Sequence, residues 1–131
     1  MSATQTRDGF ATAATAYTDA LTDWRASIAL LREAQAALRA AEWDVETLEA
    51  ELLLNLEVPE RSNAETRAAL LQQTCASDEV WLRLSVIAET GRSEVARLTD
   101  AAQAERDRMS SEKRKMDFSI AWLRFLANRL D

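Results

Sequence analysis

Five cations crowd one short stretch of this 131-residue chain: Arg106, Arg108, Lys113, Arg114 and Lys115, with only Glu105, Asp107 and Glu112 as counter-charges. Both lysines of the protein fall here, and the aromatic residues Phe118, Trp122 and Phe125 follow at once, with Arg124 and Arg129 among them. Cations beside aromatics are the ingredients of single-stranded DNA binding, in which phosphates meet the charges and bases stack on the rings. In that scheme the five cations neutralise phosphate, while Trp122 and Phe125 stack or build an oligomer interface. The same pattern is also that of an ordinary solvated helix face with alternating charge, beside an apolar interface.

A second group is acidic. Glu42, Glu46 and Glu49 occupy i, i+4 and i+7, one face of a helix, and Glu89 or Glu94 could face them from another. Carboxylates so spaced can hold Mg²⁺, as in the all-α nucleotide pyrophosphohydrolases, and this defines a remote enzymatic alternative. The plainer reading is a solvated acidic face attracted to a basic half, since seven acids and no base lie between Ala40 and Glu60. Trp43, inside that acidic stretch, falls off the apolar line of its helix and is either a protein-contact hot spot or packing under a neighbouring helix. A carboxylate-bearing rod could also occupy a DNA-binding groove, although the other half of the chain is not acidic.

Other chemistry is excluded or weak. The chain has no histidine, which removes Ser-His and Cys-His pairs, the usual zinc ligands and the Glu-x-x-His motif of di-iron bundles. Ser111 and Lys115 form an i, i+4 pair, but a Ser-Lys nucleophile needs a desolvated lysine and this one lies in a charged stretch. Cys75 is the single cysteine, read as a small buried residue in a chain made for a reducing compartment. No catalytic residue, metal ligand or cofactor is expected. The net charge of −6 argues against charge-driven nucleic-acid binding over the whole surface, though not against a local site.

The elements that position these groups are helices. Two glycines and one proline are too few for a sheet protein with several tight turns, and 47% hydrophobic with 29% charged residues suffices to fold. Phe10, Tyr17, Trp24, Leu31, Leu38, Val45 and Leu52 recur every seven residues, and Ala13, Ala20, Ser27, Ala34, Ala41 and Leu48 stand three further on. Large residues alternating with small ones at heptad spacing describe a narrow coiled-coil-like seam, and the strict period predicts left-handed supercoiling. A second line runs through Trp81, Ala88, Val95, Ala102, Met109, Met116, Leu123 and Leu130, supported by Leu84, Gly91, Leu98 and Leu126 but failing between Gln103 and Lys115. Gly91 marks a bend or a close helix contact.

The boundaries follow from caps and breakers. Residues 1–8 are read as a flexible N-terminus, with Asp8 capping the first helix, and Pro59 ends it. Ser62-Asn63-Ala64-Glu65 reads as a capping box with Ser62 at the N-cap, and Ser77 with Asp78 and Glu79 starts a third helix. The expectation is therefore an all-α, elongated helical hairpin in a single domain over 9–131, with helices at about 9–58, 63–75 and 78–130. Pairing Leu56 near Trp81 places Phe10 near the C-terminal segment. One seam on two helices buries little, and Phe118, Trp122 and Phe125 form an apolar face apart from Met116, Leu123 and Leu130. A homodimer or higher bundle is expected for that reason. No signal peptide or membrane span is apparent, which points to the cytoplasm.

The middle of the chain resembles a group of small helical proteins encoded by phages and prophages near single-strand annealing and other recombination genes. The likeness rests on Leu52-Leu53-Leu54-Asn55, on Ser62-Asn63-Ala64-Glu65-Thr66-Arg67-Ala68-Ala69-Leu70, on Asp78-Glu79, and on the arginine-bearing run from Ser119 to Arg124. Arg61-Ser62 stands where that group carries Gly-Lys before the Asn. The resemblance implies a setting, phage DNA recombination or repair in a bacterial host, and no catalytic residues. The expected function is a non-enzymatic accessory that binds single-stranded DNA or a recombinase; the alternative is a module that inhibits or recruits a host protein through Trp43 and the acidic helix.

Overall fold

The computed structural model describes residues 3–57 and 61–130. Three helices account for nearly all of them: α1 (Ala3–Leu54), α2 (Ala64–Ala76) and α3 (Glu79–Leu130), with no strand among the described residues. The two long helices pack against each other and the short one lies between them in sequence, so the expected all-α hairpin architecture is the one observed.

The seam follows the heptad reading. Phe10, Tyr17, Trp24, Leu31, Leu38, Val45 and Leu52 are all half-buried, and the small positions three further on are half-buried or, at Ala20, fully buried. On α3 the line from Trp81 to Leu123 turns inward in the same way, and the Leu130 side chain lies outside the described residues. The fully enclosed side chains are small or medium: Ala20, Cys75, Ala88, Leu98 and Ala102. A seam between two helices covers each large side chain on one side only, so alanine is enclosed while Trp and Tyr keep an edge in water.

The chain divides into two compact units. Unit 1 comprises Met1–Leu31 with Arg97–Asp131, and unit 2 comprises Arg32–Ala96. In unit 1, Arg108 Nη1 donates to Asp23 Oδ2 at 2.7 Å, tying the middle of α3 to α1. In unit 2, Trp81 Nε1 donates to Glu49 Oε1 at 3.0 Å, Arg92 lies 3.4 Å from Glu42, and Gly91 faces Leu38. A Cβ on Gly91 would stand 3.2 Å from Leu38 Cδ1 and 3.7 Å from Leu38 Cα. Of the two expectations for Gly91, the close helix contact is the one the structure supports.

Several boundaries differ from expectation, each for a local reason. Helix α1 already runs at Ala3, so Asp8 is inside it and caps nothing; its carbonyl accepts from Thr12 Oγ1 at 3.0 Å. The described part of residues 1–8 is therefore helical. At the other end α1 stops at Leu54, before Pro59, which lies with Val58 and Glu60 outside the described residues. The last turn tightens there, with Leu56 N–H donating to Leu53 O, the i to i−3 pattern that closes helix ends.

The cap of α2 is Asn63 rather than Ser62. Asn63 Oδ1 accepts from Thr66 N–H at 2.8 Å and from Thr66 Oγ1 at 2.9 Å, because a short amide side chain in extended backbone reaches the N3 donor directly. Ser77 is the C-cap of α2, and Asp78 caps α3, its carboxylate taking Trp81 N–H at 2.8 Å. The register also differs. Trp81 reaches Glu49, one heptad before Leu56, because the indole N–H selects a carboxylate that Leu56 cannot supply.

Residues 103–115 stay helical although apolar support is thin there. Side-chain pairs one turn apart hold the stretch: Gln103 Nε2 to Asp107 at 2.9 Å, Arg108 to Glu105 at 3.2 Å and Lys115 to Glu112 at 3.4 Å. Glu105 and Glu112 occupy half-buried positions there.

Candidate functional site

The five cations do not make one patch. Arg106 and Lys113, seven apart, share one face of α3; Arg108 and Lys115 share another, about 200° away around the helix because each is displaced by two residues. Arg108 is spent on Asp23 and Glu105, and its guanidinium pKa is raised chiefly by the hydrogen bond to Asp23. Lys115 is paired with Glu112. Arg106, Lys113 and Arg114 are exposed and carry no counter-charge among the described residues.

The C-terminal aromatics are also unequal. Phe118 is 71% exposed and Phe125 48%. Trp122 is half-buried, its ring stacked on Phe125 with centroids 5.1 Å apart and planes at 24°. Arg129 stands over the Phe125 ring at 5.9 Å from its centroid. Phe125 thus has neighbours already on its ring, whereas Phe118 has an open face. The Trp122 indole N–H is enclosed without an acceptor among the described residues, which disfavours a role in polar recognition at that atom.

Around Phe118 unit 1 forms a groove of 660 Å³ lined by Gly9, Thr12, Ala13, Ala16, Lys115 and Phe118, among others. It continues along α1 past Thr12, Thr15 and Ala16 to Asp19. Sequence reasoning missed this groove. The signal was the run of Gly, Ala and Thr between residues 9 and 16, whose small size leaves room that no heptad count reveals.

In unit 2 Trp43 is 68% exposed, on the face of α1 opposite the seam. It does not pack under α2. Leu53, Leu54, Val80, Leu82, Val86 and Ile87 are exposed as well. The spacings of Leu82 with Val86 (i, i+4) and of Val80 with Ile87 (i, i+7) could have revealed the α3 members, since they run outside the Trp81–Ala88 line. These residues belong to a unit that carries six arginines against thirteen acids, a net of −7.

The acidic triad does not converge on a metal. Glu42 faces Arg92 and Glu49 accepts from Trp81, so two of the three carboxylates have protein partners. No group of three or more metal-ligating side chains is found among the described residues. Cys75 is buried at the end of α2, where burial first, then the carboxylates of Glu49 and Asp78, push its thiol pKa up. That is the opposite of an activated thiolate. No described helix is long and apolar enough to cross a membrane.

Compared with known protein families, with characterised proteins and with solved structures, the chain matches none.

Proposed function

We propose that this protein works by binding another protein, through Trp43 and the acidic face around it in unit 2. The observation that carries the reading is Trp43, exposed at 68% beside Glu42, Asp44 and Glu46 on a helix that has already buried its seam against α3. A large aromatic ringed by like charges is a hot spot in waiting: the ring supplies area at low entropic cost, and the carboxylates steer a partner with basic residues around an apolar pocket. The partner class is a recombinase or a host protein. The resemblance of the Asn63–Arg67 segment supports phage or prophage DNA recombination, in the bacterial cytoplasm, as the setting. In this reading the protein is an accessory and carries no catalytic residue.

The test is affinity capture from host lysate with wild-type and Trp43→Ala chains, followed by titration of the purified partner. One host protein retained by the wild type and lost with Trp43→Ala upholds the reading; equal retention by both overturns it.

A second reading has its own support. Arg106, Lys113 and Arg114 are exposed and unpaired among the described residues, and Phe118 presents an open ring one turn beyond Arg114, a combination suited to single-stranded DNA. Anisotropy of a labelled oligonucleotide at low and physiological salt tests it. Three phosphate contacts on single-stranded DNA predict a log–log salt slope near −2, about 0.7 per contact. A slope of zero, or no binding at low salt, removes it.

A further inference from the structure

Phe118 borders the groove described above, so an exposed ring and an open trough lie on one surface of unit 1. The ring is 71% exposed. The groove next to it has a floor of Gly9, Ala13 and Ala16, and a Cβ added to Gly9 would meet nothing within 4 Å.

The threonines along α1 make this trough more apolar than its sequence suggests. Thr12 Oγ1 donates to Asp8 O at 3.0 Å and Thr15 Oγ1 to Ala11 O at 3.0 Å. Thr18 and Thr22 repeat the pattern at 2.9 and 3.0 Å. Each hydroxyl proton is thus satisfied within the helix, and a covering surface would strand no donor there.

The charges are complementary. Asp19 and Arg114 both border the trough, and neither has an ionic partner among the described residues. Unit 1 as a whole is nearly balanced, with ten basic against nine acidic residues. A surface that carries its own knob and hole, and an unpaired charge of each sign, has the character of an isologous interface. There residue i of one copy meets residue j of the other, and j meets i. A strongly acidic or basic partner would leave one of these two charges opposed.

We infer that unit 1 is a self-association surface: Phe118 of one copy enters the Gly9–Ala16 trough of a second copy, Arg114 of each meets Asp19 of the other, and the pair is two-fold symmetric. This surface is independent of Trp43 and of the protein partner proposed above.

Sedimentation equilibrium of the full chain, without nucleic acid and up to ~100 µM, tests it. The wild type is expected to form a reversible dimer. Phe118→Ala is expected to weaken it at least about tenfold while the helical circular dichroism stays unchanged, since the ring contributes little to the monomer's core. Asp19→Arg and Arg114→Asp should each weaken the dimer, and the double variant should recover most of the loss. A chain that stays monomeric throughout overturns the inference. So does a dimer indifferent to Phe118→Ala, or a charge-swapped double variant no better than either single one. Trp43→Ala should leave the dimer intact, which separates failure here from failure of the partner-binding reading.

Discussion

Units 1 and 2 draw on the same two helices but solve the problem of a thin seam in different ways. In unit 2 a third helix is present, and specific contacts close the structure: Asn63 caps α2, Cys75 is buried at its end, Trp81 is bonded to Glu49, and Gly91 lets Leu38 approach. Unit 1 has only stretches of α1 and α3, held by the Arg108–Asp23 pair and by alanine and leucine at Ala20, Leu98 and Ala102. The charges differ as well, −7 in unit 2 against +1 in unit 1. A region that completes its own packing can spare its outer face for a foreign partner. A region that stays open, balanced in charge and complementary to itself, is suited to a second copy.

The glycines give the sharpest way to break that comparison. Gly91→Val should destabilise the chain by about 2 kcal/mol, because Leu38 Cδ1 and Cα leave no room for a branched side chain. Gly9→Ala, in open space on the same kind of helix, should stabilise it by about 0.5 kcal/mol through helix propensity. Urea unfolding in dilute solution reads both; equal effects would mean that Leu38 does not close on Gly91.

The tryptophans come next. Trp81→Phe deletes the bond to Glu49 and should cost about 1.5 kcal/mol. Trp122→Phe deletes an enclosed N–H that has no acceptor among the described residues, so lost packing and relieved desolvation should cancel to within about 0.5 kcal/mol. A larger loss at Trp122 than at Trp81 in the same unfolding assay would contradict the described hydrogen bonding. Asn63→Ala should cost about 1 kcal/mol, with faster amide exchange confined to the first turn of α2.

The smallest effect is on pH. The Cys75 thiol is raised in the folded chain, so the native state holds its proton when the unfolded state has lost it. Stability from this source is fully present below the ordinary thiol range and is lost as pH rises from there through the raised value. Cys75→Ala should flatten that alkaline decline in the denaturation midpoint; an unchanged slope would assign the decline to other groups.

Much of the fold was legible in the residues. A seven-residue period over more than six heptads leaves the helix little freedom about which face turns inward, and every large seam position from Phe10 to Leu52 is half-buried as read. Caps were legible only to within a residue, because Ser62 and Asn63 are both good N-caps and the choice depends on which side chain reaches Thr66. Helix α1 starts earlier than the cap pattern suggests, since nothing in a run of small polar residues forbids helix; Thr and Gln are tolerated there. The sites were harder. Trp43 lies off the seam in the sequence pattern and in the structure alike, but two of the five clustered cations are neutralised by neighbours, which leaves only Arg106, Lys113 and Arg114 without a counter-charge among the described residues.

The sequence by itself determined the helices, their inward faces and the uneven distribution of charge, because periodicity and composition are properties of the chain that no partner alters. Only the tertiary structure decided the pairing. A heptad seam fits equally well after a slip of seven residues, and it took the bond from Trp81 to Glu49 and the approach of Leu38 to Gly91 to select one register. That register in turn decided which cations are spent, which aromatics remain exposed, and that a groove opens beside Phe118. Each of these depends on distances between residues far apart in the chain, which spacing along a single helix does not contain.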